Sequence, residues 1–172
     1  METDNTYLEI IGKFLSGDGW RSFVLTSGVV VAIVSVITAR MLARKKQTAD
    51  LLFGSRGDEK LQRGLRCIQQ HYDSSTSNIR RLAAKEMTDD PEVAAVKYVL
   101  NHFESVSVGV QAGIYDETML KECWYGIVRD IFRQSKPLID AIQDQYGNTV
   151  YQEFEWMAKR WEAKPLKVKK KR

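Results

Sequence analysis

At 172 residues, with 44% hydrophobic and 28% charged side chains, the chain has the make-up of one folded domain of ordinary size rather than of a disordered segment. Its net charge of +4 is unevenly spread: residues 1–39 carry −2, 40–46 carry +4, 47–158 carry −5 and 159–172 carry +7. The body is therefore acidic, which argues against a nucleic-acid-binding face, and the two isolated cysteines, Cys67 and Cys123, form neither a disulfide framework nor a paired zinc-type spacing.

Residues 1–22 form a short segment holding the amphipathic stretch YLEIIGKFL at 7–15, expected outside the membrane as a flanking turn. From Phe23 to Ala39 the chain reads FVLTSGVVVAIVSVITA, seventeen residues without a charge, and Met41 to Ala43 extend it beyond Arg40. About twenty helical residues, at roughly 1.5 Å each, cross a hydrocarbon core of about 30 Å. A buried core helix normally keeps one polar stripe, whereas this run is apolar all round apart from small Ser, Thr and Gly. Residues 23–43 are therefore expected to span a membrane, with Trp20 and Phe23 at one interface and Arg40 snorkelling to the other.

The basic residues follow the apolar run, which is the wrong polarity for a cleaved signal peptide. Arg40, Arg44, Lys45 and Lys46 are expected on the cytoplasmic side, placing the N-terminus outside. Cys67 and Cys123 then sit in a reducing compartment and are expected as buried thiols. Gly28 and Ser35 lack the four-residue repeat of a dimerising span, and nothing in the sequence fixes the oligomeric state.

Residues 44–58 read as a basic juxtamembrane linker, or a poorly ordered extension of the preceding helix, with Gly54, Ser55 and Gly57 marking a flexible connection. Residues 59–163 read as a compact all-α bundle, giving a chain with one transmembrane helix and about five to six bundle helices. Leu61, Leu65 and Ile68 mark one helix, and Ile79, Leu82, Ala83 and Met87 a short second one ending before Asp89, Asp90 and Pro91. Val93, Val96, Val99 or Leu100, Phe103, Val106 and Val110 give the clearest helical period, running toward Gly113. Asp116 is placed to cap a helix whose broad apolar face runs from Met119 through Cys123, Trp124 and Ile127 to Phe132. Pro137 opens a separate short segment closed at a left-handed Gly147. Asn148 or Thr149 then caps a last helix striped by Val150, Phe154, Met157 and Trp161.

Three motifs carry a family resemblance: LNHFESVSVGVQAGIYDE at Leu100–Glu117, KPLI at Lys136–Ile139 and GNTVYQEFEWMAKRW at Gly147–Trp161. In the order Asn101, Phe103, Glu104, Gly109, Gly113, Pro137 and Phe154-Glu155-Trp156, the stretch Tyr98–Trp161 resembles an uncharacterised family of bacterial and phage helical proteins, often tethered by an N-terminal membrane helix. The resemblance implies the helical fold and the anchor and brings no catalytic residue. On physical grounds Asn101 and Glu104 are expected to bridge helices. Gly109 and Gly113 would allow close helix approach, and Phe103, Phe154, Trp156 and Trp161 would pack the last helix on the core, with a ligand pocket or interaction surface formed by these signature residues as the alternative.

Arg66 and His71 form an R-x4-H spacing that resembles the active-site motif of a class of small helical ribonucleases, with Cys67 where a polar residue commonly follows the arginine. Their expected role is a solvated helix face, with nuclease activity as the alternative. His102 is read as a core or surface residue, and no metal or cofactor constellation emerges from spacing alone. The end of the chain, 164–172, is a polybasic tail whose Lys167, Lys169, Lys170, Lys171 and Arg172 would meet anionic headgroups, with nucleic acid as second choice. The leading expectation is a membrane-tethered interaction module binding an unidentified protein, in a setting of phage and host conflict. A membrane-anchored ribonuclease and a structural envelope protein are the alternatives.

Overall fold

The computed structural model describes residues 3–74, 77–84 and 90–167. Among them the chain is all-α: α1 (Thr3–Ser16), α2 (Asp18–Gly57), α3 (Glu59–Asp73), the 3-10 helix η1 (Ile79–Ala83), α4 (Pro91–Gln111), α5 (Glu117–Tyr146) and α6 (Gln152–Ala163). It divides into two compact units, Met1–Ala43 and Arg44–Arg172.

In the first unit, residues 3–16 are helical where a flanking turn was expected, with Tyr7, Ile10 and Ile11 exposed. The following helix is long and apolar enough to cross a membrane, and none of its apolar window is buried. Within that helix Thr26 Oγ1 donates to the Ser22 carbonyl at 2.8 Å, so its hydroxyl is satisfied without water. Trp20 stacks on Phe23 with ring centroids 5.8 Å apart.

The second unit begins with the last turns of α2, so that the segment expected as a linker or a helix extension is helical as far as Gly57. Thr48, Leu52 and Ser55 recur at helical spacing and are all buried. Thr48 Oγ1 donates to the Arg44 carbonyl and accepts from the Asp116 N–H, both at 2.8 Å. Gly54 and Gly57 face open space, so they cost only helix propensity, about 1 kcal/mol each, which this stripe of burial offsets.

The face predicted for α4 is the core: Val93, Val96, Val99, Leu100, Phe103, Val106 and Val110 are buried. Asp90 caps the helix by accepting from Glu92 N–H at 2.7 Å, with Pro91 in its first turn; Asp89 and Met87 lie outside the described residues. The short helix expected from Ile79 is a single 3-10 segment ending at Ala83.

Helix α5 is one 30-residue element, and Pro137 lies inside it rather than opening a new segment. An interior proline costs about 3 kcal/mol through the lost N–H and the ring clash. Ile131, Phe132, Leu138, Ile139 and Ile142 are buried on either side of it, each worth roughly 1.5–3 kcal/mol, so continuity wins. Asp116 caps α5 as expected, accepting from Met119 N–H at 3.0 Å. Cys123 and Ile127, expected on the buried face, are exposed.

Gly147 has φ 103° with ψ 155°, a positive-φ conformation outside the left-handed helical region that was expected. Neither Asn148 nor Thr149 caps the last helix: its N-cap is Tyr151, left-handed at φ 58° and without a side-chain cap.

Candidate functional site

The signature residues resolve into a joint between α4, α5 and α6. Tyr151 offers α6 no cap, so its first N–H groups need acceptors from elsewhere. Glu104 on α4 supplies them, accepting from Phe154 N–H at 2.7 Å and Glu153 N–H at 3.4 Å. Burial raises the Glu104 carboxyl above its ordinary pKa, and the two N–H groups pull against that shift. Phe154 stacks on Phe103 at 5.2 Å and meets the edge of Phe132 at 5.6 Å.

Glu117, at the start of α5, forms the second clasp. It accepts from Arg160 Nε at 2.9 Å, Arg160 Nη2 at 3.3 Å and Trp161 Nε1 at 3.2 Å, and the Arg160 hydrogen bonds hold its carboxyl below the ordinary range. Sequence spacing had no means of linking Glu117 to residues more than forty positions away. Phe103, Glu104, Phe154 and Trp161 thus converge as a structural joint. Asn101 is exposed, and Trp156 lies at the surface with the Arg160 guanidinium over its ring. Gly109 receives the Tyr115 ring, and Gly113, at φ 68°, lies beside the Arg44 guanidinium, so neither serves helix–helix approach.

His102 lies half-buried against Phe103 and Trp124, at centroid distances of 5.4 and 5.9 Å, and its Nε2 has no hydrogen-bond partner among the described residues. Burial holds its pKa below the ordinary 6.5, with the Asp58 charge opposing. A histidine whose folded pKa is lowered contributes stability that is complete above its unfolded pKa and is lost as pH falls from there through the lower folded pKa. The wild-type chain is therefore expected to lose urea stability relative to His102→Gln on going from about pH 7.5 to about pH 5.5. Parallel pH curves for the two proteins would refute this.

Arg66 and His71 stand on different faces of α3. Five residues along α3 turn the helix through a net angle of roughly 140°, leaving Arg66 exposed and His71 buried. His71 Nδ1 contacts Ser77 Oγ, and Nε2 faces Glu92 Oε2 at 3.4 Å. Cys67, one turn before His71, is buried, and that burial, reinforced by the Glu92 and Asp90 charges, pushes its thiol pKa up. Cys67, His71 and Glu92 each direct a ligand-type atom into one cluster.

Beside them, Arg63, Arg66, Cys67, Gln70, Glu92 and Ala95 line an open depression of about 310 Å³. A second, apolar groove of about 280 Å³ lies between α2, α3 and α5, with Leu52, Phe53, Leu65, Met119, Trp124 and Ile127 in its walls. Phe23, Arg40, Arg44, Lys45 and Lys46 are exposed along α2, as is Lys167 after α6. Lys169, Lys170, Lys171 and Arg172 lie outside the described residues.

These features define an all-α protein with one helix near its N-terminus long and apolar enough to cross a membrane. The chain belongs to the family described as a domain of unknown function (DUF4760), whose model matches residues 22–161. Searches of the curated proteins and of the solved structures return no match.

Proposed function

We propose that the chain is a single-pass, membrane-tethered interaction module of a bacterial inner membrane, with its N-terminus outside and its helical bundle docking another protein at the cytoplasmic face. One observation carries the reading: from Phe23 to Met41 large apolar side chains are exposed around the helix, Phe23 at 61%, Leu25 at 71%, Val31 at 64% and Met41 at 51% among them. A helix apolar on every side, with none of its apolar window buried among the described residues, is stable where lipid tails solvate it.

The exposed Arg40, Arg44, Lys45 and Lys46 at its C-terminal end support the orientation by the positive-inside rule. The family match begins at residue 22, so the apolar run falls within the matched region, which favours an anchor over a removable leader. Exposed Phe53 and Ile127 beside the apolar groove support protein binding, and Lys167 with the basic tail supports contact with anionic headgroups. The resemblance of Tyr98–Trp161 supports a bacterial or phage origin, and a role in phage and host conflict is an extension of that origin.

The test uses the exposed Cys123 as a reporter. The full chain is expected to stay in the membrane pellet at alkaline pH, and a membrane-impermeant maleimide is expected to label Cys123 only after spheroplasts are lysed. Release into the supernatant would end the anchor reading, and labelling of intact spheroplasts would reverse the topology.

A further inference from the structure

We infer that Cys67, His71 and Glu92 form a binding site for a thiophilic divalent cation of the zinc class, at the junction of α3 and α4 and independent of the membrane reading. The Cys67 sulfur, a His71 ring nitrogen and a Glu92 carboxylate oxygen all lie within 4.8 Å of one another. Tetrahedral zinc, with bonds of about 2.0–2.1 Å to N and O and about 2.3 Å to S, places its ligand atoms roughly 3.3–3.6 Å apart. The 3.4 Å between His71 Nε2 and Glu92 Oε2 is such an edge.

Helix geometry supplies the remaining alignment. Cys67 and His71 are four residues apart and rise from the same face of α3, and Glu92 sits in the first turn of α4. That face also carries Gly64, whose missing side chain lets the α4 backbone at Ala95 come close, and the close approach brings Glu92 to the pair. The Ser77 hydroxyl engages His71 Nδ1, so Nε2 is the nitrogen left for a metal; such an outer partner fixes ring orientation in metal sites.

The donor set also balances in charge. Binding releases the Cys67 thiol proton to solvent, and thiolate, carboxylate and neutral imidazole together neutralise a divalent ion. Three protein ligands leave a fourth position, and the neighbouring open depression lined by Arg63 and Arg66 gives solvent or an anion a route to it. The ordinary alternative is a buried histidine in an ion pair with Glu92 beside an inert thiol.

The experiment titrates the full-length Cys123→Ser chain in mild detergent with Co2+ and then displaces the cobalt with Zn2+, so that Cys67 is the one thiol present. The expected result is one equivalent of Co2+, an intense thiolate-to-cobalt charge-transfer band, visible bands of four-coordinate geometry, and loss of all of them on adding one equivalent of Zn2+. Ser77→Ala is expected to weaken Zn2+ binding about tenfold or more through loss of the outer hydrogen bond. Absence of the charge-transfer band overturns the proposal, and because that reading needs no substitution at the site, misfolding of a ligand variant does not obscure it. Unchanged Zn2+ affinity in Cys67→Ser, with a chain that still folds, overturns it equally.

Discussion

Replacing Trp161 by Ala is expected to destabilise the bundle by about 3–5 kcal/mol. Trp161 is 1% exposed, belongs to the same core as Phe103 and Phe154, and donates its indole N–H to Glu117 at 3.2 Å. Truncation removes the ring contacts and leaves a cavity that a 12-residue helix, clasped at its start by Glu104 and near its end by Glu117, has little freedom to close. Trp161→Phe separates the two contributions. Most of the ring volume returns while the Glu117 hydrogen bond stays broken, so about 1–2 kcal/mol of loss should persist beyond the volume term. Urea unfolding of the detergent-solubilised chain, followed by far-ultraviolet circular dichroism, measures both. An Ala variant within about 1 kcal/mol of wild type would mean that α6 is not held as described.

What the sequence made legible follows the range of the interactions involved. The α4 stripe and the Phe154–Met157–Trp161 stripe were visible because a helix face repeats every three or four residues, and both are buried. The cap at Asp116 was visible because it bonds an N–H three residues on. The misreadings arose where a local signal was outweighed by distant packing. Pro137 and Gly54 looked like breaks, yet helix continues through both, because Leu138, Ile139, Leu52 and Thr48 are buried beside them, whereas Gly57 does end its helix.

The cap of α6 was misplaced for a related reason. Its acceptor is Glu104, about fifty residues earlier on another helix, and no spacing rule reaches that far. The same limit hid Glu92 from Cys67 and His71. The pair reads as C-x3-H on one helix face, but the third ligand-type atom arrives only through the α3–α4 contact. Arg66 and His71, adjacent enough in sequence to suggest one site, are parted by the turn of the helix that carries them.

The contact that brings α3 to α4 depends on a glycine, and its sign can be tested against a neighbour. A methyl group built at Gly64 would overlap the Ala95 carbonyl oxygen and the Val99 side chain, whereas one at Gly126, inside α5, meets nothing within 4 Å. Alanine improves helix propensity by about 1 kcal/mol at either position. Gly126→Ala should therefore gain up to about 1 kcal/mol, and Gly64→Ala should lose about 2 kcal/mol net. The obstacle at Gly64 includes backbone, so the helices must separate rather than a flexible side chain rotate away. Separation draws Glu92 from His71 and Cys67, so Gly64→Ala should also weaken Zn2+ binding, and Gly126→Ala should leave it unchanged. Stability changes of the same sign in the two variants would show that helix propensity, not close approach, governs Gly64.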